Sequence, residues 1–165
     1  MKIALTNRQT RYRAAPGGVR KLCAFLRPRV EALCPGLHLE LLSLAWLDDD
    51  RIRALNLAHF GRDRITDVIS FCYPPIPGAA GHTGELLVNL DQAWNEGRLR
   101  AGPDRELARY IAHGMHHLAG AEDDTPARKR RMLSTEAAWI RAADAEGLVS
   151  GLLTRARRAS SGKTA

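Results

Sequence analysis

The segment from Pro103 to Asp123 constrains this chain more than any other. Leu107, Ile111, Met115 and Leu118 recur every three or four residues, the spacing that lays one apolar stripe along an α-helix. Pro103 suits the first helical position, and Asp104 is a cap or first-turn acid. His113 and His117 are one turn apart on the same helix face, roughly 40 to 60° round from that stripe, so both imidazoles can reach one point beside the core. Gly120 can turn the chain through a left-handed conformation at little cost. Asp123, three residues on, can then fold back to the same point, with Glu122 and Asp124 beside it as alternative third ligands. Two nitrogens, one oxygen and an open fourth position form a catalytic zinc-type donor set, whereas a structural site is normally closed by four protein ligands. His116 points elsewhere and reads as a neighbour. A His-x-x-x-His pair alone more often means two solvated or hydrogen-bonded histidines; the glycine and the carboxylate at these offsets bring a metal level with that reading, and further segments of the chain, given below, add to it. The peptidase pattern His-Glu-x-x-His carries its base directly after the first histidine. That position is Gly114, which demotes a metallopeptidase.

At 165 residues the chain has the size of one domain, large enough to bury about two-thirds of its unfolded surface. No run approaches the roughly 18 apolar residues that cross a bilayer, and the N-terminus lacks the pattern of a signal peptide. Cys23, Cys34 and Cys72 show no metal spacing and read as buried thiols of a cytoplasmic protein. The net charge of +7 favours a polyanionic partner, nucleic acid first. The excess clusters at Arg8, Arg11, Arg13, Arg20 and Lys21, at Arg128 to Arg131, and at Arg155, Arg157, Arg158 and Lys163.

Lys2 to Thr6 reads as a strand and Val19 to Leu33 as a helix kinked or split by Pro28. Asp48 to Asp50 suit the start of a helix running to about Ala58. Thr66 to Tyr73 is the best strand, Pro74 to Gly81 a loop, Glu85 to Asn89 a strand and Asp91 to Gly97 a short helix. Pro126 opens a last helix to about Glu146, with Met132, Leu133, Trp139 and Ile140 as its buried face. The expected fold is α+β (mixed α/β): one domain over residues 1–150, a sheet of about four strands packed by about five helices. Residues 151–165 read as a basic, flexible tail.

With these residues in view, the chain resembles the YbeY family of bacterial rRNA maturation factors, metal-dependent endoribonucleases specific for single strands. Three blocks in family order carry the resemblance. They are Leu55-Asn56 with Gly61, Asp63 and Thr66-Asp67-Val68-Ile69-Ser70-Phe71; then Gly84-Glu85-Leu86-Leu87-Val88; then His113-Gly114-x-x-His117-Leu118-x-Gly120-x-x-Asp123. The resemblance implies a Zn2+ or other divalent ion on His113, His117 and Asp123, and cleavage of RNA in small-subunit rRNA 3′-end maturation and ribosome quality control. It departs at two positions. Asp123 stands where the family has a third histidine, and Phe60 where it has an arginine. Arg62 or Arg64 is then the candidate for phosphate contact. No general base is evident; Asp67 or attack by a 2′-hydroxyl are the options, and Asp67, Ser70, Thr66 and Phe71 otherwise serve the strand. A non-catalytic RNA-binding assembly factor with a structural metal is the alternative function.

Overall fold

The computed structural model describes residues 1–156. Strands β1 (Lys2–Asn7), β3 (Leu39–Leu47), β4 (Val68–Tyr73) and β5 (His82–Asn89) form one mixed sheet in the order β1-β3-β5-β4. The first two pairings are parallel and β4 runs antiparallel to β5, which makes β4 an edge strand. Helices α1 (Pro16–Glu31), α4 (Pro103–Leu118) and α5 (Pro126–Ala145) pack together, with α4 also against β4 and β5. Helices α2 (Asp49–Phe60) and α3 (Leu90–Leu99) complete, among the described residues, a single α+β domain of five helices and a four-stranded sheet. Among the described residues no helix is long and apolar enough to cross a membrane.

The capping pattern explains where the short helices begin and end. Asp48 Oδ1 accepts from the backbone N–H of Arg51 at the start of α2, and Gly61 ends that helix at φ 65°. Thr125 caps α5 in the same way, accepting from the N–H of Arg128.

Helix α4 is the central element. Leu107, Ile111 and Met115 are fully buried and Leu118 nearly so, as their periodicity predicts. Gly114 lets this helix approach the sheet: a Cβ there would lie 2.9 Å from both Leu86 Cδ2 and Val68 Cγ2 and 3.1 Å from Ser70 Oγ. The position that carries a carboxylate in a peptidase helix is thus pressed against β4 and β5, with no room for one. Gly114→Ala should lower unfolding stability by about 1–3 kcal/mol through overpacking, measurable by urea titration.

Several expectations need correcting. Helix α1 runs through Pro28 unsplit; the proline sits in the last turn, where little helix remains to be interrupted. In α5 the buried residues are Met132, Glu136, Ile140 and Ala143, while Leu133 is exposed and Trp139 only partly covered. Of the three cysteines only Cys23 is buried, its thiol pushed up to about 12 by that burial; Cys72 is exposed. The stretch from Gly151 does not start as a tail. β6 (Leu153–Arg155) pairs antiparallel with β2 (Tyr12–Ala14), and Leu152 and Leu153 are buried. Asp104 secures it, since its two carboxylate oxygens accept from the N–H groups of Gly151 and Leu153 at 2.7 Å each. Residues 157–165 of the expected tail, with Arg157, Arg158 and Lys163, lie outside the described residues.

Candidate metal centre

The last two turns of α4 and the loop that follows them bring three side chains together. His113, His117 and Asp123 each offer one donor atom, and these atoms all lie within 4.8 Å of one another. The two Nε2 atoms are 3.2 Å apart. Two nitrogens at about 2.0–2.1 Å from a tetrahedral ion sit roughly 3.3–3.4 Å apart, so the spacing already suits one.

The outer nitrogens determine which ring atoms are free. His117 Nδ1 lies 2.8 Å from the carbonyl oxygen of Ala121, to which it must donate. His113 Nδ1 lies 3.0 Å from Glu136 Oε1 and donates to that carboxylate. With both protons on Nδ1, the lone pairs of both Nε2 atoms face each other, and such an arrangement needs a cation or a shared proton between them. The carboxylate–histidine and carbonyl–histidine contacts are the supports that orient metal-binding imidazoles.

The neighbours of Asp123 are engaged elsewhere. Arg128 Nη1 donates to Glu122 Oε2 at 2.7 Å and to Asp124 Oδ1 at 3.0 Å, drawing both flanking carboxylates to the start of α5. Asp123 alone joins the histidines. His116, as expected, is no part of the group; its Nδ1 donates to Glu136 Oε1 at 3.0 Å.

Glu136 escaped the reading of the sequence. It is 5% exposed and serves two imidazoles. Burial pushes its carboxyl up, but the hydrogen bonds and charges of His113 and His116 outweigh this and hold it below the ordinary carboxylate value. Burial likewise disfavours the His113 imidazolium; the Glu136 hydrogen bond and charge, then Asp67 and Asp123, reverse that and raise its pKa. A signal existed in the sequence: a carboxylate inside the stripe Met132-Glu136-Ile140-Ala143 has to find a partner when buried.

Around the donors, two cavities of about 430 and 410 Å3 share Arg64, Thr66, Asp67, His113 and Asp123. Arg62 and Phe60 line the second, so both candidate arginines lie beside the donors, and Phe60 does too. The loop bearing Arg64 and Asp67 is held by two buried amides. Asn56 Nδ2 donates to the Arg64 carbonyl at 2.9 Å, and Asn89 Nδ2 to the Thr66 carbonyl at 3.2 Å. Asp67 Oδ1 accepts from the Val68 N–H and the Thr66 hydroxyl; Oδ2 has no hydrogen bond among the described residues.

The model of the family described as Endoribonuclease YbeY matches residues 19–144, which include every residue of this cluster. The chain belongs to the YbeY family. Relatives named Endoribonuclease YbeY include one from Anaeromyxobacter sp. (strain Fw109-5), 42% identical over 113 residues, covering 68% of this chain and 57% of that protein. Another, from Anaeromyxobacter dehalogenans, is 40% identical over 139 residues, covering 81% of this chain and 69% of that protein. The chain thus matches little more than half the length of the first of these YbeY relatives. The solution structure of TM1509 from Thermotoga maritima shares the fold, with a TM-score of 0.57 at 19% identity over 98% of this chain and 99% of that one.

Proposed function

We propose that this chain is a metal-dependent endoribonuclease that cleaves single-stranded RNA in the cytoplasm, in small-subunit rRNA 3′-end maturation and ribosome quality control. The convergence of His113, His117 and Asp123 beside a cavity lined by arginines carries this reading. Those three side chains would hold one divalent ion, zinc by its donor set. Such an ion supplies Lewis acidity towards a phosphate oxygen and a bound water of lowered pKa. The protein's own groups do the rest. Arg62 or Arg64, both lining the cavity that holds the donors, would contact the RNA phosphates. Asp67, its second oxygen without a hydrogen bond among the described residues, would accept the proton of the attacking water as the P–O bond to the leaving ribose oxygen breaks and that oxygen takes a proton from solvent. Glu136 and the Ala121 carbonyl fix both imidazoles in the tautomer that leaves Nε2 free.

Metal-loaded protein incubated with matched single- and double-stranded RNA tests this. The expected result is cleavage of the single strand, lost on chelation and in His113→Ala, with RNA binding retained. Binding should weaken by one or more orders of magnitude between about 50 and 200 mM salt if several phosphates are held. RNA binding without cleavage in any divalent metal would instead establish an assembly factor with a structural ion. Phe60 in place of the family arginine favours that second reading.

A further inference from the structure

A row of aromatic rings runs outward from Phe60, which lines the metal cavity, and the proposed chemistry makes no use of it. Phe71 and Tyr73 are two residues apart on edge strand β4, so they leave the same face of the sheet. Their ring centroids are 6.3 Å apart with planes 29° apart. Phe60, at the end of α2, lies 6.1 Å from Phe71 with the planes only 7° apart, within the range of offset aromatic pairs. Phe71 anchors the row by packing on the small core cluster of Leu47, Ile52, Ile69 and Leu87. Its two partners are open to solvent, Phe60 48% and Tyr73 47% exposed. Single exposed rings are ordinary, but two exposed rings braced on a third, half-buried one at a fixed strand and helix end form a patch that marks an interaction site.

Phe60 also lines the cavity that contains His113, His117 and Asp123. Arg62 and Arg64 line it too, and neither forms an ion pair among the described residues. Arg53 fixes the loop between them, donating to both oxygens of Asp63 at 2.6 and 2.9 Å. From the metal donors outward, the surface therefore presents unpaired positive charge and then flat π faces. Single-stranded nucleic acid takes that combination: cations track its phosphates, and its unpaired bases stack on aromatic side chains. A duplex keeps its base faces buried in its own stack.

We infer that Phe60, Phe71 and Tyr73 form a base-stacking platform for a single-stranded RNA whose backbone passes Arg62 and Arg64 to reach the metal donors. This rests on the endoribonuclease reading and adds how the strand is recognised. At position 60 a charge contact with phosphate is exchanged for a stacking contact with a base, so the interaction there is insensitive to salt.

The test uses the full chain and a single-stranded RNA of about twelve nucleotides, within the usual footprint of such sites, carrying one 2-aminopurine. Phe60→Leu and Tyr73→Leu remove a ring and keep apolar bulk; Tyr73→Phe removes only the hydroxyl that donates to Glu85. Each leucine variant should weaken binding about five- to tenfold, the lower part of the effect of losing one base–aromatic stack. The slope of log Kd against log salt should stay unchanged, the 2-aminopurine quenching should fall, and metal content and thermal midpoint should hold. Tyr73→Phe should bind like wild type. An abasic strand with the same phosphates should bind wild type more weakly than the intact strand binds Phe60→Leu, because it lacks every stack and not one. Unchanged binding in both leucine variants, or abasic binding equal to intact, overturns the platform. Phe60-dependent binding with no cleavage in any metal defeats the endoribonuclease reading and leaves the platform standing. A wild-type chain that binds no single-stranded RNA defeats both.

Discussion

Replacing His117 with alanine should leave the chain folded but without its ion. After loading and desalting, elemental analysis should find about one divalent ion per wild-type chain and almost none in the variant. A tetrahedral centre with three protein ligands loses a third of its protein donors in one step, a larger loss than the roughly 10- to 100-fold that a supporting residue costs. The fold should survive because His117 is only half-buried and, among the described residues, its one hydrogen bond beyond the donor group is to the Ala121 carbonyl. The same assay identifies the third donor. Asp123→Ala should empty the site, whereas Glu122→Ala and Asp124→Ala should stay loaded, because Arg128 already holds both of those carboxylates. Asp123→His should retain the ion with one less negative charge around it. If Glu122→Ala or Asp124→Ala loses the ion while Asp123→Ala keeps it, the donor set described above is wrong.

What could be read along the chain follows from how local each signal is. The helix carrying the candidate donors was legible because Leu107, Ile111, Met115 and Leu118 give its buried stripe and His113 and His117 stand on it at fixed offsets. Asp123 was legible because it is only a short loop away. Glu136 was not, since its meaning depends on α5 packing across α4, a contact 23 residues away in sequence from His113. The pairing of β2 with β6 joins three-residue strands from opposite ends of the chain, too short for alternation to register and held by Asp104 from a third element. The exposure of Leu133 and the burial of Glu136 exchange what hydrophobicity alone assigns. The aromatic row was invisible for the same reason: Phe60 and Phe71 meet only once α2 is laid beside the edge strand.

Glu136 should prove the most consequential residue that binds nothing itself. Glu136→Ala removes the acceptor of two buried Nδ1–H groups, each costing about 1–3 kcal/mol when left unsatisfied. A loss of several kcal/mol from a domain whose whole stability is of the order of 5–15 kcal/mol should be plain in a urea titration. Glu136→Gln keeps the volume and an acceptor oxygen but loses the charge; it should fold and yet bind metal about 10- to 100-fold more weakly. The pH dependence separates these effects. His113 titrates above its ordinary 6.5, so in metal-free protein its contribution to stability is complete below that value and fades as pH rises through the raised folded pKa. Glu136 is depressed below its ordinary 4.5, so its contribution is complete above that value and fades as pH falls through the lowered folded pKa. Metal-free wild type should therefore be most stable between the two, and Glu136→Gln should flatten that maximum. Metal has to displace the proton from His113, so loading of wild type should rise with pH through the raised pKa. In Glu136→Gln the imidazole gives up its proton at lower pH, and the loading curve should shift towards acid while its plateau affinity falls. Equal loading curves for wild type and Glu136→Gln would show that the carboxylate neither orients nor charges His113.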